Sequence, residues 1–187
     1  MTPAPVIALF GISGVGKTHL ARRIVRARPD LLRLSASALL KSTFHTTGEK
    51  LRTAPSSDVV NNQSALASAL AAAREGCWQR PVLLEAHAVI DNDCELIDVP
   101  LRVMEAIGVA GILSLAAPSA EIETRRRRDR RTRPARSAAE LERQQQRSLA
   151  VSRRFAQKLG VPFEVVEPRD LDVSLRLIDT VCGAIQN

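Results

Sequence analysis

Tyrosine is absent, tryptophan occurs once and phenylalanine four times, so aromatic residues make up only 3% of this 187-residue chain. Proteins that grip single-stranded nucleic acid stack its bases on aromatic faces, and a chain so poor in rings offers few such platforms. Cysteine is as scarce: Cys77, Cys94 and Cys182 are widely separated and form no C-x-x-C pair. That spacing supports neither a disulfide framework nor a zinc site with His19, His45 or His87, and reduced, mostly buried thiols are expected. No apolar run approaches the roughly 18–20 residues needed to cross a bilayer, so no membrane association is expected. The first residues also lack the basic, apolar and cleavage regions of a signal peptide. Cleavage there would remove a glycine-rich stretch that starts at Gly11, and a cytoplasmic location is expected.

What is present is ordinary in bulk and uneven in detail. Apolar residues make up 45% and charged residues 25% of the chain, as in a soluble globular protein. At this length one well-filled domain is expected, spanning residues 1–187. The net charge is +7, and all of it is concentrated between Pro118 and Arg154, where 12 arginines face five acids. A concentrated positive field draws phosphates, whether on nucleotides or on nucleic acid. The shortage of aromatics favours the small phosphorylated ligands.

Val6-Ile7-Ala8-Leu9-Phe10 is apolar without a break, which suits a central strand buried on both faces of a parallel sheet. A helix is predicted over residues 18–28, stopped by Pro29, then a second strand over 31–34 and a short helix over 35–41. Residues 43–58 are polar and turn-rich and read as a mobile loop, followed by an alanine-rich helix over 61–75. A third strand over 82–86 ends in an acid, residues 91–98 read as an acidic loop, and a short helix covers 100–106. A fourth strand over 109–116 leads into a basic helix over 119–131 and a break around Pro134. Ser137 and Glu140 have capping-box spacing for a long helix to about Leu159, before a fifth strand over 162–166 and a closing helix over 173–185. Strands alternating with helices imply an α/β fold with a parallel, helix-flanked sheet.

Gly11-Ile12-Ser13-Gly14-Val15-Gly16-Lys17-Thr18 matches G-x-x-x-x-G-K-[ST] at every fixed position, directly after a strand and before a helix. This is the phosphate-binding loop of P-loop NTPases. Glycines let successive backbone N–H groups turn toward one anionic centre, and the helix N-terminus adds its dipole. Lys17 is expected on the β- and γ-phosphates of ATP, and the Thr18 hydroxyl on Mg²⁺. Nucleotide contacts are expected from Gly11, Ser13, Gly14, Val15, Gly16, Lys17, Thr18 and His19. Glu85 ends the third strand, on the side where ligands bind in such sheets, and is a candidate for holding a metal-bound water or orienting an acceptor. His87 would share its face if the strand continued.

Arg125-Arg126-Arg127-Arg128-Asp129-Arg130-Arg131-Thr132-Arg133 is too dense a run of like charge for one helix without an anion to offset it. Phosphoryl transfer supplies a reason, because arginines delivered by a closing lid stabilise charge on the moving oxygens and exclude water. A solvated basic helix or a nucleic-acid patch remains the alternative.

With these motifs the chain resembles the archaeal-type adenylate kinases, a branch of the P-loop nucleoside-monophosphate kinases. The resemblance rests on the glycine loop, on Leu84-Glu85-Ala86-His87 with Glu where Asp is usual, and on the run from Pro118 to Arg133. The stretch from Glu142 to Ala156, with Gln145 and Arg153, continues it. It implies a P-loop fold of five parallel strands, with an acceptor-binding segment over 35–75 and an arginine-rich lid over 119–154. It implies transfer of the ATP γ-phosphate to AMP with Mg²⁺ held by Thr18 and Glu85. Lys17, Arg126, Arg131 and Arg133 are then the catalytic cations, with Arg125 on the donor. Arg52 would grip the acceptor phosphate and Gln63 would lie near its base, with Glu85 and His87 also facing the substrate. The acceptor side departs from the family: residues 35–57 are unlike its usual segment, and an acidic stretch follows His87 where a glycine- and proline-rich loop is usual. Two other readings stay open, a kinase for another small acceptor and an ATP-binding module that uses its arginines on nucleic acid.

Overall fold

A strand apolar on both faces needs cover on both sides. β1 (Val6–Phe10) has it, with all five residues at or below 1% exposure. The computed structural model, which describes residues 4–129 and 135–184, sets β1 at the centre of a five-stranded sheet. Its order is β2 (Leu32–Ser35), β3 (Val82–Glu85), β1, β6 (Val109–Leu115) and β7 (Phe163–Val166). Every neighbouring pair is parallel, as the alternation of strands and helices predicts.

The two-residue period of β1 divides the core. Val6, Ala8 and Phe10 pack toward α2 (Ala36–Thr43), α5 (Leu66–Ala73), α6 (Leu101–Ala106) and α8 (Ala138–Leu159). Ile7 and Leu9 pack toward α1 (Lys17–Ala27) and α9 (Leu171–Gly183). Phe10 meets Phe155 of α8 with ring centroids 6.0 Å apart and tilted, one of the geometries aromatic pairs favour. On the other face α9 comes so close to β6 that a Cβ at Gly111 would lie 2.6 Å from Val181 Cγ2. Only glycine allows that approach. At the start of α8 the expected capping box is complete: Ser137 Oγ accepts from the Glu140 N–H, and Glu140 accepts from the Ser137 N–H.

Four expectations need correction. Residues 43–58 are not a loop; they hold α3 (Gly48–Thr53) and the start of α4 (Ser56–Ser64). Thr47 caps α3 by accepting from the Lys50 N–H at 3.2 Å, so residues read as turn formers act as helix starts. The single helix expected over 61–75 is instead the end of α4 followed by α5. The acidic stretch is an antiparallel hairpin, β4 (Val89–Asp91) and β5 (Leu96–Asp98). Its turn is built by Asn92, whose side-chain oxygen accepts from the Cys94 and Glu95 N–H groups at 3.0 and 2.7 Å. Finally, the thiols are not mostly buried: Cys94 is exposed, and Cys77 and Cys182 are half-buried. The basic helix α7 (Ser119–Arg128) stops at Arg128, with Asp129 extended; the break expected at Pro134 lies outside the described residues.

Candidate active site

The parallel sheet brings the carboxyl ends of β1 and β3 side by side, with Leu9 opposite Glu85. The phosphate loop leaves β1 there and enters α1 at Lys17, with Gly16 at φ +118°. A side chain at that φ is strained, and a Cβ would also meet Pro168 at 3.2 Å, so the loop from β7 to α9 forms a wall over Gly16. Arg23 of α1 ties that wall down by donating to the carbonyls of Pro168 and Arg169, both at 3.2 Å.

Lys17 stays within the loop, its Nζ donating to the carbonyls of Gly11 at 2.6 Å and Ile12 at 3.2 Å. The Thr18 hydroxyl donates to Glu85 Oε2 at 2.8 Å. Hard oxygen donors of this kind suit magnesium, which keeps several waters and takes only one or two protein ligands. Among the described residues no cluster of three or more acids, histidines or cysteines could cage a metal by itself. Thr18 and Glu85 are the residues that would hold it.

A cleft of about 660 Å³ opens over the loop, lined by Ser13, Gly14, Gly16, Lys17, Thr18 and His19 and by Glu85, His87, Arg125 and Arg52 opposite. The structure therefore brings together nearly all the expected nucleotide-binding residues. Val15 contributes its backbone, its carbonyl accepting from Arg125 Nη1 at 2.9 Å. His19 is exposed on the first turn of α1, and His87 lies on the segment after β3 rather than on a continued strand.

Beside the cleft is a second cavity, of about 170 Å³. Leu40, Leu51, Val89 and Ile90 give it an apolar floor, while Arg52, Gln63, His87 and Asp91 supply polar groups. Arg126 borders this cavity and also reaches the phosphate loop, its Nε donating to Ser13 O at 2.8 Å. Gln144 of α8 supports it, accepting from Arg126 Nη2 at 3.4 Å. Nearby, Gln145 holds both the N–H and the carbonyl of Ala117, at 3.0 and 3.1 Å, and so fixes the chain leaving β6.

The arginines of α7 separate by helical phase. Arg125 and Arg126 turn inward to the loop carbonyls, whereas Arg127 is 77% exposed and pairs with Glu123 at 2.7 Å. Arg125 also pairs with Glu121 at 2.6 Å, so acids one turn back relieve part of the repulsion that the sequence alone assigns to an anion. Arg131 and Arg133 lie outside the described residues.

Four residues of the site escape sequence reasoning. Arg33 donates to Glu85 from β2 at 2.7 Å. Arg136, just before α8, grips both oxygens of buried Asp91 at 3.0 and 3.1 Å. Asp93, at φ +80°, pairs with Arg52. The signal for Arg33 was its place in Leu31-Leu32-Arg33-Leu34, a lone charge in an apolar strand. For Asp91 and Asp93 no signal existed, because their partners are distant in sequence.

The family model described as an AAA domain matches residues 10–142. The chain belongs to that family. The AAA-domain match runs from the last residue of β1 through the phosphate loop, Glu85 and the α7 arginines into α8. No curated protein matches the chain in sequence. Solved structures share its fold over nearly its whole length. A sugar kinase from Janibacter sp. HTCC2649 is 17% identical with a TM-score of 0.58, covering 98% of each chain. A shikimate kinase from Acinetobacter baumannii, solved with shikimate, is 14% identical with a TM-score of 0.61 and covers 98% of this chain and 96% of its own. A gluconokinase from Sinorhizobium meliloti 1021 is 15% identical with a TM-score of 0.56 and covers 99% and 97%. At such identities the likeness is one of fold. The AAA-domain family name does not specify the adenylate-kinase branch that the sequence motifs resemble.

Proposed function

We propose that the protein is an ATP-dependent phosphotransferase that moves the γ-phosphate of ATP to a small acceptor, a nucleoside monophosphate such as AMP. The observation that carries this reading is the position of Arg126, which contacts the phosphate loop at Ser13 and borders the acceptor cavity at once. A guanidinium there can follow charge as it passes from donor to acceptor. Such transfers need positioning and neutralisation more than covalent help.

Each part of the chain has a task in this scheme. Residues 11–19 cradle the donor phosphates, and Lys17 and Arg125 offset their charge. Magnesium, held by Thr18 and Glu85, would neutralise the phosphate oxygens further. The segment 35–75 forms the acceptor side, where Arg52 takes the acceptor phosphate and Gln63 faces its body. The segment 119–154 acts as the arginine lid, to which Arg131 and Arg133 would belong.

The cavity lining supports an acceptor that carries a nucleobase. Leu40, Leu51, Val89 and Ile90 line one part of the cavity with apolar side chains, which suits a nucleobase. A polyol demands a polar partner for each buried hydroxyl. The second reading, a sugar or shikimate-like acceptor, is favoured by the fold relatives named above. A coupled assay of ADP release decides between them, with AMP, CMP, GMP, UMP, shikimate and gluconate offered in turn. Turnover with a nucleoside monophosphate is expected; turnover with shikimate or gluconate alone would replace the first reading by the second. Slow hydrolysis with no phosphorylated acceptor, together with salt-sensitive RNA or DNA binding, would favour a nucleic-acid module instead. In the active protein Lys17→Ala should lower kcat by about 10²–10³-fold, the scale of one lost charge-stabilising donor, with an unchanged melting temperature.

A further inference from the structure

Glu85 is not held by Thr18 alone. It is 7% exposed, and its two oxygens have different partners. Oε2 accepts from Thr18 Oγ1 at 2.8 Å. Oε1 accepts from Arg33 Nε at 2.7 Å, and Arg33 Nη2 lies 2.5 Å from the same oxygen in an ion pair. Both contacts of the guanidinium therefore fall on one oxygen. An arginine meeting a carboxylate fork to fork would occupy both; this one leaves Oε2 to Thr18.

The register of the sheet produces this division. β2 runs parallel to β3 with Arg33 opposite Leu83 and Ser35 opposite Glu85. The arginine thus starts two positions behind the acid on the edge strand and reaches forward along the sheet to the outer side of its carboxylate. A glutamate also carries one more methylene than an aspartate. That adds a torsion which must be fixed before the carboxylate has one position.

We propose that Arg33 is a positioning residue for the magnesium site, holding Glu85 Oε1 so that Oε2 stays directed at Thr18 and the site keeps its affinity for the cation. Arg33 and Glu85 then work as one unit, in which the arginine supplies the definition that a shorter acid would have from its length. The inference rests on the nucleotide-binding half of the proposed function and not on the acceptor. Groups that orient metal ligands from outside commonly change metal affinity by about 10–100-fold when removed.

The test is calorimetric titration of the full chain with ADP, first in EDTA and then across a series of MgCl₂ concentrations. Arg33→Met should raise the Mg²⁺ concentration at half-maximal tightening about 10-fold and leave the metal-free ADP affinity within about twofold. Arg33→Lys should recover part of the loss. Adding Glu85→Gln to Arg33→Met should then cost much less than Glu85→Gln costs alone. An unchanged Mg²⁺ midpoint with a lowered melting temperature would mean that Arg33 only pins the edge strand, and would overturn the proposal. Weakened ADP binding in EDTA would overturn it too, by making Arg33 a nucleotide contact. A wild-type chain whose ADP affinity ignores Mg²⁺ would overturn the metal site and this inference together. No acceptor enters the titration, so a failed acceptor assignment leaves the result decisive.

Discussion

The α7 run offers the sharpest contrast between neighbouring residues. Arg126 touches the phosphate loop and borders the second cavity, while Arg127 is exposed and pairs only with Glu123 among the contacts described. Arg126→Ala should lower kcat by about 10²–10³-fold. Arg127→Ala removes a surface pair and should change stability by less than about 0.5 kcal/mol, with kcat near wild type. Steady-state kinetics with thermal melts of both variants measure this; equal losses from both would show that helical phase does not select the working arginine. Asp91 gives a second residue-level expectation. Burial pushes its carboxyl up, but the Arg136 hydrogen bonds, the Asp93 N–H and the charges of Arg136 and Arg126 outweigh that, and the net shift is downward. A folded pKa below the unfolded value of about 3.9 means stability that is present above that pH and lost as pH falls through the folded value. The wild type should therefore lose stability below about pH 4, and Asp91→Asn should be less stable at neutral pH with a shallower acid loss. Urea melts between pH 3 and 7 would show a parallel loss in both proteins if Asp91 contributed nothing.

At the scale of elements, helix starts do much of the positioning. The capping box puts the first turn of α8 directly after Arg136, and one turn further Gln144 and Gln145 meet Arg126 and Ala117. Ser137→Ala should cost about 0.5–2 kcal/mol of stability. Because fraying of that turn also loosens the support of Arg126, a smaller fall in kcat should accompany it. A melt and a rate measured on the same preparation test both, and a stable variant with unchanged kcat would detach the cap from the site. The hairpin of β4 and β5 acts as a second bracket, since residues 91–93 hold Arg52 and Arg136 at once.

At the scale of the whole molecule, two helical layers cover one parallel sheet, and at Gly111 that packing leaves no room for a Cβ beside Val181. Gly111→Ala would place a methyl 2.6 Å from Val181 Cγ2, and a β-branched residue in a helix has little rotamer freedom to yield. A loss of about 1–3 kcal/mol is expected, and Val181→Ala in the same chain should restore part of it; denaturant melts of the single and double variants measure both. The elements set by local physics were open to reading before any coordinates. β1 is apolar throughout, the glycine loop has its lysine and threonine in order, α8 carries its own cap, and five strands alternate with helices. Long-range pairing was closed to that reading. The polar stretch around α3 looked like a loop because a cap and a turn use the same residues. The acids of the hairpin looked solvated because Arg52 and Arg136, which neutralise them, lie about forty residues away on either side. By itself the sequence determined a nucleotide-binding α/β chain, since backbone propensity and a contiguous motif act over a few residues. Only the tertiary structure decided which arginines face the cleft, that Arg33 holds Glu85, and that the second cavity has an apolar floor. Those outcomes depend on register between strands and on the phase of helices packed against them, and neither is encoded within any one segment.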